Sequence, residues 1–377
     1  MKIAITKESL KDEKRVALTP DVVKKLIRDK HSIVIQKGAG SEAGFIDAAY
    51  EKAGATLCES REEAWKDAEV ILRINKPTDE EIAAFPEGVL LISFLSPLFE
   101  PGQMKKIAER KILSFSMDAV PRTTRAQSMD ALSSQANLAG YKAVLIAADR
   151  MPKIMPMLMT AAGTIQPAKV LVLGAGVAGL SAIATARRLG ASVHAFDVRP
   201  VVEEQVKSLG AKFLKIDTGE SGEGTGGYAK ALSEEAQKLQ TKKLGEFATQ
   251  MDIIITTAAI PGRAAPRLIE RDAIEAMSPG SVVVDMAAGS GGNVDGSKPD
   301  EEVDITGTLI LGPTNLASEV PQDASQMFAK NIVTLFDLMC TEGDLDIDWE
   351  DDILIGCCIT KDGEIVHERT KDIISKL

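Results

Sequence analysis

The sequence predicts an α/β protein of two domains, each built on a doubly wound, mainly parallel sheet, with a cleft between them. Three observations carry this expectation. The first third of the chain alternates short apolar runs with helical segments. A glycine-spaced turn at 174–179 joins a strand-length apolar run to a helix. Further strand-length apolar runs then recur as far as residue 311.

Taken in order, Lys2–Ile5, Ser32–Gln36, Val70–Ile74, Val89–Phe94 and Ile112–Ser116 read as strands. Pro20–Arg28, Ala43–Ala53, Arg61–Lys66 and Gly102–Arg110 read as the helices between them. Thr19-Pro20 fits a helix start, with Thr as N-cap and Pro at N1. Ser133–Arg150 reads as a longer helix bridging the domains, with Leu138, Tyr141, Val144 and Leu145 at helical spacing. The methionine-rich stretch Met151–Met159 reads as domain-interface packing, with an adaptable binding surface as the alternative.

In the second half, Lys169–Leu173, Ser192–Phe196, Phe213–Ile216, Asp252–Thr256, Val282–Asp285 and Leu309–Leu311 supply the strands of a full doubly wound sheet. Gln326–Cys340 reads as a helix, and Ile353–Thr360 with Glu364–His367 as a hairpin through the Asp362-Gly363 turn. The expected domains are 1–132, completed by a returning tail at 318–377, and 133–317.

Composition narrows the class. The chain has 377 residues, 45% hydrophobic and 26% charged, with a net charge of −11. That balance suits an ordinary globular protein and argues against nucleic acid or an anionic membrane surface as partner, since both select basic patches. Cys58, Cys340, Cys357 and Cys358 form no C-x-x-C pair and read as small apolar groups in a reducing compartment. The histidines show no metal-ligand spacing, and His194, inside a strand, reads as packed. The N-terminus shows no apolar leader pattern. Between Ile154 and Ala186 the only charge is Lys169, but Pro156, Pro167 and several glycines break the window into loop, strand, turn and helix. The reading is therefore of a soluble chain.

The chemistry concentrates at Lys169-Val-Leu-Val-Leu-Gly-Ala-Gly-Val-Ala-Gly179 and runs on to Asp197. This is G-x-G-x-x-G after a strand and before a helix, with an acid closing the next strand, the Rossmann pattern for a dinucleotide. Gly174 permits the tight turn, Gly176 lets a pyrophosphate approach the backbone, and Gly179 lets helix and strand pack closely. The helix N-terminus offers unpaired N–H groups to phosphate. Asp197 is placed to accept from a ribose diol, and its charge repels a 2′-phosphate, which favours NAD(H) over NADP(H). Arg199, two residues on, is the group that could hold that phosphate instead. Asp217–Tyr228 is rich in glycine and reads as a mobile loop, either a lid over the ligand or a solvated linker.

Four segments together resemble one family. They are Lys14-Arg-Val-Ala-Leu-Thr-Pro20, the run Arg122–Tyr141 with its Arg125-Ala-Gln-Ser-Met-Asp130 core, Met159-Thr-Ala-Ala-Gly163, and Gly226-Gly-Tyr-Ala-Lys230. The family is that of alanine dehydrogenase and nicotinamide nucleotide transhydrogenase. The similarity is greatest to the branch of soluble NAD(H)-binding components (domain I, the alpha-1 subunit) of proton-translocating transhydrogenase.

The resemblance implies that NAD(H) is held by Gly174, Gly176, Val177, Gly179, Asp197, Val198, Arg199 and Ala259. Ser133 joins them, and Gly227 and Tyr228 belong to a closing loop. It implies that Arg122, Gln127 and Asp130 reach the nicotinamide and its ribose. It also implies a homodimer, an NADP(H)-binding partner subunit, and a membrane-spanning subunit that holds the chain on the cytoplasmic face of the inner membrane. An alanine dehydrogenase needs a base. Its histidine would fall at Ser96 and its aspartate at Gly289, so both are missing here. Arg15 and Lys76, in contrast, look like that branch's carboxylate-holding cations. Two alternatives stay open at this point: an NAD-dependent amino-acid dehydrogenase, and a non-catalytic NAD-binding regulatory module.

Overall fold

The structure, a computed structural model, describes residues 1–217, 219–220, 233–259 and 263–376. Most of the glycine-rich segment, including Gly227 and Tyr228, lies outside the described residues. The chain divides into one unit of Met1–Gln135 with Ala317–Leu377 and a second of Ala136–Leu316.

In chain order the first unit opens with strands β1 Lys2–Ile5, β2 Ser32–Gln36, β3 Thr56–Cys58, β4 Val70–Leu72, β5 Leu90–Ser93 and β6 Leu113–Ser116. The second unit holds β7 Leu158–Thr160, β8 Gly163–Ile165, β9 Lys169–Leu173, β10 Ser192–Phe196, β11 Lys212–Phe213, β12 Ile253–Thr256, β13 Val282–Asp285, β14 Glu302–Ile305 and β15 Thr308–Leu311. The tail adds β16 Cys340–Thr341, β17 Asp344–Leu345, β18 Cys358–Lys361 and β19 Glu364–Ile365.

In the first unit β1 to β6 are parallel, and the sheet order is β19-β18-β6-β5-β4-β1-β2-β3. The tail strands β18 and β19 extend it antiparallel at one edge. Alternate residues of each strand enter different cores: Ile3, Ile5, Val70, Leu72, Leu90 and Ile92 on one face, Ala4, Ile71 and Leu91 on the other. Continuous apolar strands of this kind are what a sheet covered on both faces requires.

The second unit's sheet runs β11-β10-β9-β12-β13-β15-β14, parallel except for β14 at its edge. Val170, Val172, Ile253 and Ile255 face one core, and Leu171, Leu173 and Ile254 the other. Strand order reverses between β9 and β12, so the loops after these two strands flank the switch point where α/β sheets take ligands. The α/β class with mainly parallel sheets is the one expected.

Several local readings need correction. Thr19 stands at the N-cap before Pro20–Arg28, but its side chain makes no capping bond. The edge strands β3 and β14 are too short and too polar to signal themselves in the sequence; β14 is exposed at Glu302 and Asp304. Asp79–Ala84 is a helix with a Thr78–Glu81 capping box, missed for its brevity. The reading of Ile353–Thr360 as one strand fails at its start. Asp351 accepts hydrogen bonds from Ile353 N–H at 2.8 Å and Leu354 N–H at 3.3 Å, and so caps a helix over Asp352–Cys357. The Asp362-Gly363 turn after it forms as expected, with φ of 51° and 84°. The methionine-rich stretch splits, with Met151 and Met155 in the second unit's core and Met157 and Met159 exposed beside the β7–β8 hairpin. Cys357 and Cys358 are buried, and His194 packs edge-on against Phe247. Among the described residues no helix is long and apolar enough to cross a membrane.

Candidate functional site

In the second unit the turn after β9 is tied from both sides. Gly174 N–H donates to the Phe196 carbonyl at 2.8 Å, and Thr257 Oγ1 donates to the Gly174 carbonyl at 3.0 Å. Gly174 has φ +95°, and a Cβ there would lie 2.7 Å from Thr257 Oγ1. A Cβ on Gly179 would lie 1.9 Å from the Gly174 carbonyl oxygen, so the helix can meet the strand only through glycine. Gly176 differs. Its φ is −75°, and a Cβ would meet nothing within 4 Å. Nothing in the protein's own packing requires glycine at 176.

Gly176 is the N-cap of the helix Val177–Arg188, and no side chain caps it. Gly176 and Val177 are exposed there. The first N–H groups of a helix have no intrahelical partner, so this end presents donors and the positive end of the dipole. Asp197, at the end of β10, accepts from Ala175 N–H at 2.7 Å and from Arg199 N–H at 2.9 Å. Arg199 also pairs with it through its side chain, and hydrogen bonds to Asp197 raise the Arg199 pKa. Val198 packs its side chain against the core beneath. Ala259, two residues beyond Thr257, is exposed. The structure thus gathers Gly174, Gly176, Val177, Gly179, Asp197, Val198, Arg199 and the segment leading to Ala259 around the ends of β9, β10 and β12.

Three supports for this site were not read from the sequence. Asn293 Nδ2 donates to the Ala258 carbonyl at 2.9 Å, and Asn293 Oδ1 accepts from Ala258 N–H at 3.1 Å. The fully buried Asp285 carboxylate accepts from Thr256 Oγ1 at 2.8 Å and from Asn293 N–H at 2.9 Å, and so holds Asn293 in place. Ser181 Oγ donates to the Asn137 carbonyl at 2.7 Å, joining the helix behind the glycine turn to the helix Ala131–Arg150.

In the first unit Arg122 and Gln127 are exposed and Asp130 is half-buried. Asp130 accepts from Ser133 N–H at 2.9 Å and Ser133 Oγ at 2.6 Å at the start of the helix Ala131–Arg150. The loop between is anchored elsewhere. Ala126 and Met129 are buried. Arg125 donates to both oxygens of Asp351 at 2.7 and 2.8 Å and also pairs with Asp352. These hydrogen bonds from Arg125 lower the Asp351 pKa. Asn331 Nδ2 donates to the Ser128 carbonyl at 2.8 Å. Alternate residues of one short loop therefore hold it down and point outward.

Comparison with known proteins agrees with both halves. Residues 4–139 match the family model described as alanine dehydrogenase/PNT, N-terminal domain, and residues 143–368 match its C-terminal domain. The chain belongs to the alanine dehydrogenase/PNT family. It is 46% identical to NAD(P) transhydrogenase subunit alpha of Haemophilus influenzae over 97% of this chain and 71% of that protein. In Rickettsia prowazekii and Rhodospirillum rubrum the similar proteins are named as the first piece of a divided NAD(P) transhydrogenase subunit alpha. The Rhodospirillum rubrum protein is 44% identical over 97% of this chain and 98% of its own length. Among solved structures the chain is similar to a transhydrogenase from Sinorhizobium meliloti, at 40% identity and a TM-score of 0.85, covering 98% and 99% of the two chains.

Within the alanine dehydrogenase/PNT family, two cations bear on which chemistry this member can do. Arg15 is buried, and Glu13 accepts from its Nε at 2.7 Å and its Nη2 at 2.6 Å, while Gln135 accepts from Nη1 at 2.8 Å. Burial works against the Glu13 carboxylate, but the Arg15 hydrogen bonds win and hold its pKa down at about 2. Lys76 is paired with Glu100. Both cations are thus engaged by internal carboxylates. Ser96 stands in a left-handed conformation, φ 51°, and its N–H donates to Asp118 at 3.3 Å. Gly289 lies in the short turn Ala288–Ser290. Neither position carries a titratable side chain.

Proposed function

We propose that this chain is the NAD(H)-binding subunit of a proton-translocating transhydrogenase, exchanging hydride between NAD(H) held here and NADP(H) on a partner subunit. A membrane-spanning partner would couple the exchange to proton movement. The chain would work as a homodimer on the cytoplasmic face of the inner membrane. The observation that carries the reading is the glycine at 176. It is exposed at a helix N-terminus, and its missing side chain serves no contact of the protein. A glycine of that kind fits a pyrophosphate that approaches the backbone.

The nicotinamide ring, when bound, supplies the hydride chemistry. The chain's residues bind and orient. The N–H groups at Val177–Gly179 meet the pyrophosphate, and Asp197 accepts from the ribose and disfavours a 2′-phosphate. Val198, Arg199 and Ala259 lie around the adenosine end. Arg122, Gln127 and Asp130, with Ser133, set the position of the nicotinamide and its ribose. No base is required, because no substrate proton leaves, and this agrees with Ser96 and Gly289. The engagement of Arg15 by Glu13 further disfavours a keto-acid site.

The test is single-turnover transfer from 4-deuterated NADH to NADP+ after mixing with an NADP-binding partner subunit. The deuterium should appear in the NADPH formed, with none from solvent. A product without it overturns the reading, and so does ready oxidation of L-alanine by the chain alone.

A further inference from the structure

The Asp197 carboxylate has no acceptor site left. Oδ1 accepts from the Arg199 backbone N–H and from Arg199 Nε, each at 2.9 Å. Oδ2 accepts from Ala175 N–H at 2.7 Å and from Arg199 Nη2 at 2.8 Å. A carboxylate offers about four lone-pair sites, and here each has a donor. The pair is also withdrawn from solvent, with the Asp197 side chain 5% exposed and that of Arg199 16%. Charge-assisted, bidentate pairs of this geometry are the strong ones.

A ribose diol can donate to Asp197 only by displacing a donor already there. The two backbone donors belong to the glycine turn and to the end of β10, which the ladder and the Phe196 carbonyl hold. The two guanidinium donors hang on a side chain that rotation can carry away. We propose that Arg199 is an internal occupant of the ribose-binding carboxylate. It satisfies Asp197 when no nucleotide is bound and swings off when the ribose arrives, so it opposes NAD(H) binding rather than adding to it. This rests on the NAD(H) reading above. It also changes the role first read for Arg199: the residue competes with the cofactor, and the apparent affinity falls by the fraction of molecules in which it has let go.

The test uses the full chain with Arg199→Met, which keeps the apolar stem, and Arg199→Gln, which can return one donor. NADH is titrated by its fluorescence, and association is followed by stopped flow. Arg199→Met should bind NADH about fivefold or more tightly, with faster association, and Arg199→Gln should fall between it and the unmodified chain. Melting temperature gives a second readout. Arg199→Met should melt lower without nucleotide and gain more from saturating NADH than the unmodified chain does. If the unmodified chain binds NADH while neither variant binds it more tightly, the occupant role is wrong and the NAD(H) reading stands. If the unmodified chain does not bind NADH, both fall.

Discussion

Gly140 and Ala178 meet backbone to backbone: a Cβ on Gly140 would lie 2.0 Å from the Ala178 carbonyl oxygen. Ala178 is in the first turn of the helix that follows the glycine fingerprint. The helix Ala131–Arg150 therefore sets where that turn lies. Gly140→Ala should gain up to about 1 kcal/mol of helix propensity and lose about 1–3 kcal/mol to overpacking. The clash should win. Urea unfolding should show the net loss, and NADH affinity should fall with it.

The fingerprint glycines should separate by phenotype. Gly174→Ala forces φ +95° on a residue with a Cβ, which then meets Thr257 Oγ1, and should lose about 1–3 kcal/mol of stability. Gly176→Ala meets nothing and should change stability by less than about 0.5 kcal/mol. It should nevertheless weaken NADH binding about tenfold or more, ~1.4 kcal/mol. Thermal melts beside fluorescence titrations check the pair; a Gly176→Ala chain that binds NADH normally would remove the main support for the site.

Asp197 should decide between the two nucleotides. The chain should bind NADH more tightly than NADPH, and Asp197→Ala should narrow the gap by removing both the ribose acceptor and the charge opposed to a 2′-phosphate. The expected loss for NADH is about 1–3 kcal/mol. Equal affinities in the unmodified chain would refute the assignment.

Arg122 and Gln127 are exposed on a loop that Arg125, Ala126 and Met129 hold down. Arg122→Ala and Gln127→Ala should therefore leave the fold intact. They should slow hydride transfer strongly, since a misplacement of about 1 Å can cost ~10²-fold, and affect NADH affinity less. Mutants that transfer normally once saturated would deny them that role. Arg125→Ala should instead loosen the whole loop, seen as faster hydrogen exchange across 122–130.

Glu13 gives the first unit an acid-sensitive support. Its pKa in the folded chain is about 2, against an ordinary value of 4.5. A depressed carboxylate stabilises the fold fully above its unfolded pKa and loses that contribution as pH falls through the folded one. Stability should thus decline between about 4.5 and 2. Glu13→Gln should flatten that decline and, by leaving Arg15 uncompensated, cost about 3–5 kcal/mol at neutral pH. Urea unfolding at pH 7 and pH 3 measures both.

The legible stretches of this chain were those with a local cause. Val170–Leu173 and Ile253–Ile255 alternate between two cores, and that requirement shows as unbroken apolar runs. Gly174, Gly176 and Gly179 showed by spacing. The edge strand Glu302–Ile305 did not show, because an edge has no second face to bury. Nor did the helix Asp352–Cys357, whose apolar residues imitate a strand and whose start depends on the Asp351 cap. Asn293 and Asp285 were invisible as supports, since each acts through groups distant in sequence, such as Ala258 and Thr256.

The sequence by itself determined the class, the two parallel sheets, and the position and order of the dinucleotide fingerprint, because periodicity, turn chemistry and glycine spacing are properties of neighbouring residues. Only the tertiary structure decided which glycines serve the protein and which is left open, that Arg15 is engaged by Glu13, and that Arg199 fills the acceptors of Asp197. Those outcomes depend on which atoms lie within hydrogen-bonding distance once the chain has folded. Local spacing does not encode the rotamer of a guanidinium or the approach of two backbones.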